Sequence, residues 1–144
     1  MIFFEANYLI PSKNISLIKD NENEDGPEEE VVKFKEFCKD YIKKDLKNEK
    51  IYEEVKNYIN VDSLIELYAS EIYISNSDWP GKNDGEFRNI GDKIEGNEYS
   101  DGKWRFIIVD LDYSMNLSSV SVDRFNYSYN LRDQAEIIPF FLIY

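Results

Sequence analysis

Four polar side chains in the second half of this 144-residue chain are spaced for acid–base and metal chemistry. Asp78 and Asn83 stand five residues apart, with Pro80 and Gly81 between them. Proline disfavours helix at the preceding Trp79 and glycine permits a sharp turn, so the loop can curl a carboxylate and an amide oxygen toward one cavity. Asp110 and Asp112 flank Leu111. On an extended chain, residues two apart point the same way. Two adjacent carboxylates repel unless a cation lies between them. Mg2+ (or Mn2+) suits that position, because it takes one or two carboxylates and completes its shell with water and phosphate oxygens. Each pair also has a plainer reading: a helix-ending loop whose side chains cap backbone groups, and a strand end with solvated acids.

Composition narrows the chemistry. The chain has no histidine, which removes the usual general base and the His-ligated zinc sites and leaves carboxylates, Lys or Tyr for proton transfer. One cysteine, Cys38, excludes an intrachain disulfide and falls on an apolar helix face, where it reads as a small core residue. The net charge of −12 argues against nucleic acid and against anionic membrane surfaces as partners, since both need cationic faces. It leaves phosphate chemistry open, because a divalent metal reverses the local sign. No apolar run reaches the ~20 residues of a membrane span. The N-terminus has no cationic segment ahead of its apolar residues and does not read as a signal peptide.

The elements that must position these groups read as follows. Residues 2–10 are rich in Ile, Phe and Tyr and predict a strand stopped by Pro11, with a second short strand at 15–18. Residues 20–27 form an acidic loop, which reads as a solvated linker rather than a cation-binding loop. Pro27 and three glutamates open a helix whose apolar face is Val31, Phe34, Phe37, Cys38, Tyr41, Ile42 and Leu46. Asn48 caps a second helix, with Ile51, Tyr52, Val55, Tyr58 and Ile59 on one side. A third, capped by Asn60 or Asp62, carries Leu64, Ile65, Leu67, Tyr68, Ala69, Ile72, Tyr73 and Ile74 around its whole circumference. Such a helix belongs at the centre of a core and makes a rigid mount for the loop at 75–83.

Beyond Asn83, glycine-marked turns separate short strands at 86–89 and 93–94. Asp101-Gly102 reads as a hairpin turn into an apolar strand at 104–109, covered on both faces, which delivers Asp110 and Asp112. Residues 118–123 read as extended or loop and 131–136 as a helical turn. The apolar end at 137–144 reads as a chain that stops early relative to a longer relative. The expected fold is α+β, helices around a central apolar helix with a small β-sheet.

In protein kinases, an aspartate that accepts the substrate hydroxyl proton precedes a metal-holding asparagine by five residues, and a second metal-binding aspartate follows a buried strand. More specifically, Asn76-Ser77-Asp78-Trp79-Pro80-Gly81-Lys82-Asn83, then Phe87-Arg88, then Asp101-Gly102-Lys103-Trp104-Arg105-Phe106 leading to Asp110-Leu111-Asp112, resemble the CotH (spore coat protein H) kinase family. The likeness spans roughly residues 30–116 and is strongest over 61–112.

The resemblance implies a protein-kinase-like C-lobe, a single partial domain over residues 1–144. It implies phosphate transfer from ATP to protein serines, with location on spore coats or in exported proteins. By position, Asp78 is the implied catalytic residue, Asn83 and Asp110 hold Mg2+ on the ATP phosphates, and Asp112 is the alternative or additional metal ligand. Asn76 braces the loop, and Trp79 is packing. The chain departs from the family pattern at Lys82, where an asparagine is usual, and at Tyr113-Ser114-Met115, where a glycine often follows the second aspartate. It carries no recognisable glycine-rich loop or paired N-lobe lysine. A non-catalytic spore-coat or cell-surface interaction module is therefore the alternative function, and a metal-dependent hydrolase a third.

Overall fold

The computed structural model describes residues 2–80, 82–115 and 122–131. The turn expected at Gly81 and the readings for 118–121, 132–136 and 137–144 lie outside the described residues. Among those described there are five α-helices and one four-stranded antiparallel sheet, so the α+β class holds. The strands are β1 (Ile15–Lys19), β2 (Glu22–Asp25), β3 (Asp84–Asn89) and β4 (Arg105–Ile108), in the order β2-β1-β3-β4. Helices α2 (Glu28–Tyr41), α3 (Glu49–Tyr58) and α4 (Val61–Ile74) are inserted between β2 and β3. Helix α1 (Ile2–Tyr8) precedes the sheet and α5 (Arg124–Leu131) follows it. No described helix is long and apolar enough to cross a membrane.

Strand register sorts the side chains into two cores. Leu17 pairs with Phe87, and Gly85 with Ile107; Ile18 pairs with Glu86, and Glu86 with Phe106. Alternation therefore sends Ile15, Leu17, Phe87 and Ile107 to one face and Ile18 and Phe106 to the other. The second face joins Val31, Phe34 and Cys38 of α2, Val55 of α3, and Leu64, Leu67 and Tyr68 of α4, together with Trp79 and Trp104, in the main core. Trp104 is fully buried, its ring 4.8 Å from that of Phe34. Its backbone ties β4 to the α3–α4 junction: Trp104 N donates to Tyr58 O at 3.0 Å and Asn60 N donates to Trp104 O at 2.8 Å. Cys38 lies in this core, and burial pushes its thiol far above the usual thiol range, which makes it inert packing.

Helices α2 and α3 form where their apolar spacing places them, and α3 begins at the expected cap, Asn48 Oδ1 accepting from Lys50 N at 3.0 Å. Asn60, the first of the two candidate caps, starts α4 by accepting from Ser63 N at 2.8 Å. Helix α4 is not the centre of the core. It buries Leu64, Leu67, Tyr68 and Glu71, while Ile65 and Tyr73 are 58% and 88% exposed. It is bound to β4 on one side, where Phe106 N donates to Ser63 Oγ at 3.2 Å.

The strand expected over residues 2–10 is a helix. Phe4 and Tyr8 are one helical turn apart, and their rings lie 4.8 and 5.0 Å from Phe87. Packing of that i,i+4 pair on the sheet face of Ile15, Leu17, Phe87 and Ile107 overrides the β-preference of Ile, Phe and Tyr.

Residues 20–27 are not all loop. Asp20 and Asn21 both take left-handed φ, 48° and 69°, the signature of a two-residue turn that folds β2 back on β1. The acidic residues of β2 form an edge strand, a placement that discourages edge-to-edge pairing. Lys93 and Ile94 form no strand, and Asp101-Gly102 is no tight hairpin turn. The whole connection from Ile90 to Trp104 joins β3 to β4, organised by the Asn89 amide, which donates to the carbonyls of Gly91, Asp92 and Ser100 at 3.0–3.1 Å. In β4, Arg105 and Phe106 are buried but Ile108 is 43% exposed, so only the first half of the strand is covered on both faces.

Arg105 locks that connection. Its guanidinium donates to Asp101 Oδ1 at 2.7 Å, to Asp101 Oδ2 at 3.2 Å and to Glu98 O at 2.6 Å. Partial burial works to raise the Asp101 pKa, but the Arg105 hydrogen bonds and charge and the Lys103 amide outweigh it and hold the carboxyl below the usual range. A lowered carboxylate contributes stability that is present above its unfolded pKa and lost as pH falls through the folded one. Asp101→Asn is expected to cost about 1–2 kcal/mol at neutral pH, after allowance for solvent screening. Thermal melts across the acid range should show the wild type losing this increment on acidification while the variant does not.

Candidate functional site

The site is built at the C-terminal end of α4, where the helix stops on a left-handed residue. Ser75 has φ 56°, its N–H donates to Ile72 O at 3.2 Å, and Asn76 N donates to Glu71 O at 3.2 Å. These paired bonds form a Schellman cap, here with serine where glycine is usual. The cap turns the chain so that Asn76, buried at 1% exposure, points into the molecule. Its side chain then works in both directions. Asn76 Oδ1 accepts from Asp78 N at 3.1 Å, and Asn76 Nδ2 donates to Asp110 O at 3.3 Å. Trp79, also 1% exposed, anchors the loop edge-on against Tyr68, with ring centroids 4.7 Å apart. The Trp79–Pro80 peptide is cis. Asp78 itself stays half-buried at the rim.

Asn83 enters from the far side of the same loop. Its backbone is left-handed, φ 60°, a conformation that asparagine tolerates better than most residues. Its N–H donates to Asp20 Oδ1 at 2.7 Å, so the tip of the β1–β2 turn holds it in place. Its Nδ2 donates to Asp110 O at 3.3 Å. With that nitrogen engaged, Oδ1 is the end of the amide able to accept a cation or a donor.

Asp110 ends the β4 segment in the left-handed region too, φ 51°. That turn presents its carbonyl to both asparagines and lets its Oδ1 accept from Asp112 N at 3.2 Å. The chain beyond is fastened to the end of α4: Ser77 N and Oγ both donate to Tyr113 O at 3.0 Å, and Met115 N donates to Ile74 O at 2.6 Å.

The structure thus brings Asn76, Asp78, Asn83, Asp110 and Asp112 to one corner. Asp110 and Asp112 are exposed and in direct contact. The Asp112 carboxyl is held above its usual value by local desolvation, by its hydrogen bond with Asp110, by repulsion from that charge, and at longer range by Asp78. Among the described residues, no three His, Cys, Asp or Glu side chains gather closely enough to hold a metal ion between them. The expected metal ligands, Asn83, Asp110 and Asp112, include only two carboxylates and make a looser set. Asp110 and Asp112 touch, Asn83 offers an amide oxygen beside them, and Asp78 stands off and acts on Asp112 through space. Hard oxygen donors of this number fit Mg2+, which keeps waters and takes substrate phosphates rather than needing an all-protein cage.

Two contributors were not singled out from the sequence. Asp20 holds Asn83, and its signal is the Asp20-Asn21 pair between two short strands. Glu71 is fully buried behind Asn76. Its signal is spacing, since Leu64, Leu67, Tyr68 and Glu71 fall at i, i+3, i+4 and i+7 and share the buried face of α4.

A raised carboxyl reverses the linkage argued for Asp101. The stability tied to Asp112 is present below its unfolded pKa and is lost as pH rises through its folded pKa. Asp112→Asn is expected to raise Tm at neutral pH and leave it unchanged at acid pH. Mg2+ should raise the wild-type Tm at neutral pH only and raise the variant's by less. Melts at the two pH values, with and without the ion, check both.

No curated protein and no solved structure shows significant similarity to this chain. The model of the CotH kinase protein family matches residues 10–141, nearly the whole sequence and the entire corner described above. On that match, the chain belongs to the CotH kinase family.

Proposed function

We propose that this chain is a kinase-like phosphotransfer domain that moves the γ-phosphate of ATP to serine hydroxyls of a protein. The helices with β3 and β4 would correspond to a protein-kinase C-lobe. The order of parts supports this: helix α4, the Asp78-to-Asn83 loop, two antiparallel strands, then Asp110, as kinases order their catalytic loop and metal-binding aspartate. The observation that carries it is the shared carbonyl. Asn76 and Asn83 both grip Asp110 O, so the loop with Asp78 and the strand exit with Asp110 are held against each other.

In this reading Asp78 accepts the proton of the serine hydroxyl. The Oγ lone pair forms the new P–O bond, and the bond to the β-phosphate oxygen breaks, releasing ADP. Asn83 Oδ1 and Asp110 would hold Mg2+ (or Mn2+), with Asp112 as the alternative or additional ligand. When bound, the ion supplies positive charge that neutralises the phosphates. Asn76 keeps the loop in register, and Trp79 and Tyr68 keep it from collapsing. The departure at Lys82 leaves an exposed cation next to Asn83, of suitable sign for a phosphate. The family's association with spore coats makes an extracellular or coat location the matching proposal.

A second reading is a non-catalytic coat or cell-surface module. It is favoured by exposed Leu111, Tyr113 and Met115, which flank the carboxylates and would suit a protein partner.

Labelled ATP with Mn2+ and a serine-containing protein acceptor decides between them. Phosphotransfer predicts labelled protein; free phosphate without labelled protein indicates a hydrolase; no turnover supports the module. Asp78→Asn is expected to lower kcat by about 10²–10⁴-fold with nucleotide binding retained. Asp110→Ala should abolish the metal dependence of that binding.

A further inference from the structure

Among the described residues, Glu71 is a buried carboxylate at the loop mount with no task in the reading above. It is 0% exposed, in the last turn of α4, and the hydrogen-bonding side chain its carboxylate meets is that of Asn76. A buried acid in that condition costs the fold stability, and an apolar residue of similar size would cost less. Its presence in this chain points to a role outside stability. The polar group beside it is the Asn76 side chain. Burial raises the Glu71 pKa and the Asn76 contact works against that rise, so the two side chains already sense each other.

Asn76 has a geometric difficulty that Glu71 answers. An asparagine side chain is free to rotate and to exchange its oxygen and nitrogen ends. Here the oxygen end must meet Asp78 N and the nitrogen end must meet Asp110 O. Its amide carries two protons, and Asp110 O takes only one. An acceptor behind the second proton fixes which end is nitrogen. The backbone already brings the two residues together, because Asn76 N donates to Glu71 O in the helix cap.

We infer that Glu71 is a positioning residue: its carboxyl holds the second Asn76 amide proton and thereby sets how the Asp78 loop meets Asp110. This deepens the phosphotransfer reading and rests on it for its purpose, though not for its geometry. The role predicts an unusual pairing of effects. Replacing Glu71 by an apolar residue should keep or raise stability while loosening the site. A merely structural glutamate would do neither, or would lose both together.

The test uses the whole chain in three forms: wild type, Glu71→Met and Glu71→Gln. Three quantities are read: Tm, Mn2+ affinity in the presence of ADP, and the NMR signals of the Asn76 side-chain amide and the Asp78 backbone amide. Glu71→Met is expected to hold or raise Tm, to weaken Mn2+ binding about tenfold, a loss of about 1.4 kcal/mol, and to shift both amide signals. Glu71→Gln keeps an acceptor oxygen and should stay within about twofold of wild type. Unmoved Asn76 and Asp78 signals in Glu71→Met, or unchanged Mn2+ affinity beside a wild type that binds, would overturn the inference. If the wild type takes up no Mn2+, the phosphotransfer reading fails, and the amide shifts alone still decide the role of Glu71. Should Glu71→Met not fold, wild-type exchange decides: slow solvent exchange of the Asn76 side-chain protons supports the inference and fast exchange overturns it.

Discussion

One peptide carbonyl, that of Asp110, joins the two halves of the site. It accepts from the side-chain amides of Asn76 and Asn83, which stand at opposite ends of a short loop. A carbonyl has two lone pairs, and here both are used. Each asparagine is positioned in turn by backbone bonds that originate elsewhere. Asn76 is set by the cap of α4, and Asn83 by Asp20 at the tip of the β1–β2 turn. The sheet, the helix and the turn therefore all bear on one point. Removing either amide would leave a loop joined on one side only, with Asp78 free to drift from Asp110.

Around that point the backbone is bent three times into the left-handed region, at Ser75, Asn83 and Asp110. Such residues are uncommon outside glycine and cluster where a chain is held in a functional shape. Two carboxylates in contact and a buried one behind them add electrostatic cost. Local stability is given up here and supplied elsewhere. The aromatic packing of Phe34, Trp104 and Phe106 and the Arg105–Asp101 clasp stand on either side of β4. A rigid sheet and a strained corner belong together, because the corner keeps its shape only if its mounts do not move.

What could be read from the sequence follows physical lines. Helices α2 and α3 were legible because apolar residues recur at three and four with Pro27 and Asn48 at their starts. Helix α4 was legible as a helix but not in its placement, since Ile65 and Tyr73 look like core residues and face solvent. Helix α1 was hidden by the β-preference of its residues, and β2 by its acidity. Helix α5 had no clear apolar period to announce it. In the site, residue type and spacing drew attention to Asp78, Asn83, Asp110 and Asp112. They marked Asp20 only as half of a turn pair and not as the partner of Asn83, because that contact closes over 63 residues and tertiary docking leaves no local pattern.

The central claim is that this corner holds a divalent ion on the phosphates of a nucleotide. A crystal structure with Mn2+ and ADP, with the ion located by its anomalous signal, tests it most directly. The account predicts the ion bound by Asp110 and the Asn83 Oδ1, with Asp78 off the metal and facing solvent where a hydroxyl would arrive. An ion and nucleotide seated elsewhere, or no ion at this corner when nucleotide is bound, would contradict it.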